Sequence, residues 1–340
     1  MKILYGVQGT GLGHISRATA LLPELCKHAE VDVLISGYAF ELELGNVAYR
    51  KRGISLKYDR NGGVAMLETL KQFKPIRFLN DVQSIPLQKY DLVISDYEPI
   101  SSWATRIAGV RSVALSHQAA FILPKTPRPE KESIIAEQLL QRFAPSEETV
   151  GFHFKQYDNF IEPQLIRDEI QDLNPIDEGH ITVYLPAWHP AKLAKMFHKF
   201  PQVDWHIFSS DCKKTQQLQN VWLRPVSHGA FLKSGEACGG VMTSSGFEMC
   251  SEAMYLGKKL LVIPIRNQYE QLCNAAALQK MGVTVLSTLE GKETVIDDWL
   301  ENGEAIGLNE IADAAGIVER IINEDLPNDA AAGRKVMVDG

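Results

Sequence analysis

Short apolar runs rich in β-branched residues alternate along the chain with longer stretches whose apolar positions recur at helical spacing. In the first half the pattern predicts strands over residues 2–7, 31–36, 91–95 and 111–115, and helices over 14–27 and 101–108. In the second half it predicts strands over 181–185, 204–209, 221–223, 240–243, 259–264 and 283–287. Helices over 191–200, 247–256 and 269–281 separate them. Strands that are apolar on both faces, with helices between them, belong in parallel sheets covered on each side. Two such runs predict an α/β protein of two doubly wound, Rossmann-like domains. Between them residues 171–180 are polar and turn-rich, with Asp172, Asn174, Pro175, Asp177 and Gly179. The expected division is therefore 1–172, 180–325 and a tail over 326–340. Residues 124–148, with four prolines among many charges, read as a surface excursion carrying a helix near 133–143.

Composition narrows the class. The 340 residues are 45% hydrophobic and 23% charged, which excludes a mainly disordered chain. Lys and Arg total 35 against 42 Asp and Glu, a net charge of −7. That balance opposes general nucleic-acid binding, which draws on excess positive charge. Five cysteines, an odd number without a C-x-x-C pair, oppose a disulfide framework and a zinc ribbon. A glycine-rich loop follows too soon after Met1 for a secretory leader, and no run of about 18 apolar residues exists. A cytoplasmic protein is expected.

Two loops carry candidate chemistry. Gly9-Thr10-Gly11-Leu12-Gly13-His14 follows a strand and opens a helix, where bare glycines and free N–H groups accept close approach by an anion. A dinucleotide site would also need an acidic residue closing the second strand, but that strand ends Ile35-Ser36-Gly37. His14, in the first turn, either faces a substrate or hydrogen-bonds the loop. The second loop, Thr243-Ser244-Ser245-Gly246, again joins a strand to a helix start suited to phosphate. Glu252 lies two turns further on, where it is either a solvated face residue or within reach of a ribose. Asn267, Gln268, Glu270, Gln271 and Asn274 follow the strand ending at Pro264, at the end of a parallel sheet where ligands bind. Such groups suit sugar hydroxyls, which donate and accept.

On these stretches the chain resembles the GT-B glycosyltransferases. It is similar to the bacterial peptidoglycan N-acetylglucosaminyltransferase, the plant UDP-sugar transferases and a less characterised bacterial and archaeal family of the same layout. The resemblance covers most of residues 1–287 and implies two domains facing across a cleft. His14 corresponds to the general base, and Asp96, ending the strand Asp91-Leu92-Val93-Ile94-Ser95-Asp96, to the carboxylate that orients it. Gly11, Gly13, Arg17 and His117 would line the acceptor-side loops. Ser244, Ser245 and Gly246 match the phosphate-binding turn, Glu252 the ribose ligand, and Glu270, Gln271 and Asn274 the ligands of the donor sugar. Two departures stand out. Ser244 replaces a phosphate-contacting histidine, and residues 186–190 read Pro-Ala-Trp-His-Pro in place of a Gly-Ser-rich loop, which offers His189 for the phosphate. Phe231 is the candidate to pack on the base.

The resemblance implies an inverting transferase that needs no metal and no cofactor beyond the nucleotide-sugar donor, a UDP-sugar in the closest parallels. Its partners would be that donor and a hydroxyl acceptor of unknown identity. A lipid-linked acceptor is one option, because Lys71-Gln72-Phe73-Lys74-Pro75-Ile76-Arg77-Phe78-Leu79 mixes basic and apolar residues suited to weak peripheral membrane contact. A nucleotide-sugar 2-epimerase of the same fold and a non-catalytic nucleotide-sugar-binding protein remain the alternatives, since fold does not fix function.

Overall fold

The computed structural model describes residues 1–9, 12–37, 46–54 and 74–327. Its first sheet comprises β1 (Lys2–Gln8), β2 (Glu30–Ser36), β3 (Val47–Lys51), β4 (Leu92–Asp96), β5 (Ser112–Ser116), β6 (Glu148–Phe152) and β7 (Ile161–Glu162). They lie in the order β3-β2-β1-β4-β5-β6-β7, and every pairing is parallel. The helices in this half are α1 (Leu12–His28), α2 (Pro75–Gln83), α3 (Pro99–Ala108) and α4 (Ile134–Arg142). The inner strands β1, β4 and β5 are buried almost throughout, as their unbroken apolar runs require.

The chain crosses to the second half through α5 (Asp168–Gln171). There β8 (His180–Tyr184), β9 (Asp204–Ser209), β10 (Gln216–Leu218), β11 (Val221–Pro225), β12 (Gly240–Thr243), β13 (Lys259–Val262) and β14 (Thr284–Val285) form a second sheet. Its order is β10-β11-β9-β8-β12-β13-β14, with only the β10–β11 pair antiparallel. The helices α6 (Pro190–Phe197), α7 (His228–Ala237), α8 (Phe247–Tyr255), α9 (Tyr269–Lys280) and α10 (Glu293–Asn302) cover it.

The last helix, α11 (Ala314–Ile322), does not stay with the second sheet, where the division at 325 put it. It packs on α1 of the first half, and Ile317, Val318 and Ile321 join the same buried cluster as Ile15, Ala18 and Leu21. Arg111 donates to the Ile321 carbonyl at 3.0 Å, and the Ala312 N–H donates to the Gln164 carbonyl at 3.0 Å. The reason is simple: the apolar stripe of α11 completes the outer cover of α1.

Each sheet has a switch point where strand order reverses, between β1 and β4 in the first and between β8 and β12 in the second. Crevices at such points, beyond the carboxyl ends of the strands, receive ligands in open α/β sheets. Both glycine-containing loops lie there. In the basic-apolar stretch, residues 71–73 lie outside the described residues, and α2 turns Ile76, Arg77 and Leu79 outward. No helix among the described residues is long and apolar enough to cross a membrane.

Candidate functional site

β1 ends at Gln8 and the chain turns at once into α1. The Gly9 N–H donates to the Ser36 carbonyl at 2.6 Å, which pins the loop start to the end of β2. Thr10 and Gly11 lie outside the described residues. His14 is in the first turn of α1, and its Nδ1 stands 2.7 Å from Oδ1 of Asp96, the fully buried last residue of β4. The strands bring the pair together: β1 and β4 are neighbours, with Val7 opposite Asp96. An ionised Asp96 only accepts, so Nδ1 carries the proton and donates. Nε2 of the neutral ring keeps its lone pair.

Arg17 lies one turn after His14, on the same helix face. It grips Asp96 with both arms of its fork, Nε to Oδ2 and Nη2 to Oδ1, each at 2.8 Å. Burial raises the Asp96 pKa, but the charges of Arg17 and His14 outweigh it and hold the carboxyl below its usual range. Burial also works against the charged Arg17, and Asp96 and Glu248 more than compensate, so its pKa is raised. Tyr97, next after Asp96, adopts the left-handed backbone (φ 54°) and lays its ring nearly parallel to that of His14, centroids 6.2 Å apart.

Across the cleft, α8 starts directly after Ser244-Ser245-Gly246. Gly246 is its N-cap without a side-chain cap bond, and nothing lies within 4 Å of where a Cβ would stand. The first-turn amides thus have no side-chain cap, and there is open space beside Gly246. Ser245 is fully buried and donates from its hydroxyl to the Gln271 carbonyl at 2.7 Å. Asn274 donates to the Ser245 carbonyl at 3.1 Å, and Gln271 Oε1 accepts from the Ile265 N–H at 2.8 Å. Gln271 and Asn274 thus brace the turn from behind. Ser244 stands beside them, 7% exposed. Glu270 keeps more access, with Gln118 donating to its Oε2 at 3.0 Å.

Glu252 accepts from Arg167, just before α5, at 2.8 and 3.0 Å. Burial raises the Glu252 pKa and Arg167 opposes it. Phe231, on α7, packs edge-on against Tyr184 and Phe208, and with Glu252, Met249 and Leu232 it lines a small, mainly apolar cavity. His189 is exposed and caps α6, its Nδ1 accepting from the Ala191 N–H at 3.3 Å.

His117, expected on an acceptor-side loop, is buried at the junction of the halves. Its Nδ1 faces the Phe152 carbonyl and its Nε2 faces Asn274 Oδ1, both at 2.8 Å, while its ring stacks on Phe247 at 3.8 Å. Burial lowers its pKa against the pull of Glu270. Among the described residues no three His, Cys, Asp or Glu side chains are grouped as metal ligands.

The family model described as "Glycosyl transferase family 1" matches residues 1–302. The chain belongs to that family. It is a glycosyltransferase with the GT-B fold, and its architecture agrees with solved glycosyltransferases. It is similar to SnogD from Streptomyces nogalater, a glycosyltransferase (15% identity, TM-score 0.55, 99% of each chain covered). It is also similar to MurG from Acinetobacter baumannii (13% identity, TM-score 0.57, covering 95% of this chain and 99% of that one). A third similar structure is a UDP-glucosyltransferase from Polygonum tinctorium capable of glucosylating indoxyl (12% identity, TM-score 0.57, 99% and 97% covered). No curated protein matches the chain in sequence.

Sequence reasoning missed three side chains that pair with the candidate residues. Glu248, from the second half, bonds to Arg17 of the first at 2.7 Å. Arg167 neutralises Glu252, and Gln118 holds Glu270. Only Glu248 left a signal: it precedes Glu252 by four residues, so both lie on one face of α8.

Proposed function

We propose that this glycosyltransferase moves a sugar from a nucleotide-diphosphate sugar, UDP-linked, to a hydroxyl of its acceptor with inversion, and needs no metal for it. The observation that carries the reading is the His14–Asp96 pair at 2.7 Å, set at the switch point of the first sheet. Asp96 fixes the tautomer, so Nε2 is the basic atom and takes the acceptor hydroxyl's proton as the oxygen attacks the anomeric carbon. The bond from that carbon to the diphosphate breaks, and the diphosphate leaves with the electron pair. The open N-terminus of α8, with Ser244 and Gly246, supports the developing charge without a cation. Ser245, Gln271 and Asn274 hold that turn in shape. Glu252 takes the ribose hydroxyls once Arg167 shares its carboxylate, Phe231 packs near the base, Glu270 holds the donor sugar, and His189 is available to the phosphate from the α6 side.

A thermal-shift screen of UDP-, dTDP- and GDP-sugars identifies the donor, because a ligand of the native state raises its melting temperature. Release of the nucleotide with and without hydroxyl acceptors then reads turnover. His14→Ala is expected to lower kcat by about 10²–10⁴-fold, the usual worth of a general base. Activity within a few-fold of the parent contradicts the assignment, and epimer formed without any acceptor favours the epimerase alternative.

A further inference from the structure

Glu248 is carried by the second half, in the first turn of α8, yet its carboxylate reaches over the loop of the first half. Its Oε1 accepts from Arg17 Nη1 at 2.7 Å. A Cβ at Gly13 would collide with that carboxylate, so the bare glycine gives Glu248 its room. A side chain at this position would push the Glu248 carboxylate aside.

The charge arithmetic around His14 gives this contact a role. Asp96 and Arg17 form a bidentate pair whose charges cancel. The carboxylate that orients His14 is thus largely neutralised as an electrostatic partner. Glu248 restores a net charge of −1 to the group. Facing this group are Asp96 and Tyr97 from the end of β4, Arg17 from α1, Tyr5 from β1 and Glu248 from α8. Burial raises both phenols, Tyr5 and Tyr97, which keeps them neutral.

We propose that Glu248 is a positioning residue that tunes the base: brought by α8 onto Arg17, its carboxylate favours the protonated form of His14. The inference rests on reading His14 as the base.

The test reads the imidazole itself, on the full chain without donor or acceptor. Histidines labelled at Cε1 are titrated by NMR, and the His14 signal is the one absent from His14→Gln. Glu248→Gln is expected to move the His14 midpoint to lower pH by about 0.5–1 unit, the effect of removing one charge at short range in a partly screened site. Glu248→Asp, with its carboxylate withdrawn by one methylene, should fall between. A Glu248→Gln midpoint within about 0.1 unit of the parent, or above it, overturns the proposal. If the glutamine variant does not fold, an unchanged midpoint in the aspartate variant overturns it equally. The pH dependence of UDP release from UDP-N-acetylglucosamine gives a second reading, its rising limb shifting the same way. Absence of any turnover would sink the transferase mechanism and leave the NMR result to decide Glu248.

Discussion

Arg17 commits its guanidinium to two carboxylates that reach it from different parts of the fold, Asp96 from β4 and Glu248 from α8. A buried cation held this way is a fixed part of the site, and its cost is met only while both partners stay. The same logic governs Arg167 and Glu252, each less than a quarter exposed. Arg167→Ala leaves a largely buried carboxylate unpaired, and stability should fall by about 1–3 kcal/mol, between the values for surface and buried pairs. Chemical denaturation checks it, and an unchanged midpoint would show that water already serves Glu252. At this scale the sequence revealed the groups that a local pattern marks. His14 stands directly behind three glycines, and Asp96 closes an apolar strand. Glu248 and Arg167 were hidden, because a Glu on a helix and an isolated Arg are ordinarily solvated. Their partners lie 231 and 85 residues away in the chain.

Strands that are buried on both faces were easy to read, since β1, β4, β8 and β12 are continuous apolar runs. Most edge strands were not, β14 being the exception, and the buried inner strand β6 was missed with them. β3 alternates half-buried and exposed residues, β10 is exposed along its length, and β7 has two residues. Such segments become strands only because a neighbouring edge is there to pair with. The placement of α11 escaped for a related reason. The sequence reading set no helix there, and nothing local says which half such a stripe would cover. Ile321 is fully buried against the first half. Ile321→Ala should therefore destabilise by about 2–5 kcal/mol, the range for a large core truncation. Hydrogen exchange on the same variant should show faster exchange in α1. A loss confined to the second sheet would contradict the packing.

Taken whole, the molecule buries three histidines away from the His14 centre and half-buries a fourth. Burial lowers the pKa of His117, His153 and His180, and takes that of His206 down to about 3. A histidine with a depressed folded-state value is neutral in the native protein and binds protons more readily when unfolded. Its contribution is fully present above its unfolded pKa of about 6.5 and declines as pH falls below that value. Asp96, held low by Arg17 against its burial, adds a loss of its own only below about pH 4. The melting temperature is expected to drop steadily from pH 7 to pH 5, and a flat profile over that interval would mean that these rings gain no protons on unfolding.

The return of α11 to α1 also decides how the molecule carries mechanical load. Tension applied between Lys2 and Ile322 would run through β1, α1 and α11, all in the first half. The second sheet is joined to that path by two backbone crossings, at 163–179 and at 303–313, and by side-chain contacts such as Arg17–Glu248 and His117–Asn274. Two backbone crossings instead of one mean that a single cut in either segment would leave the halves still joined through the other.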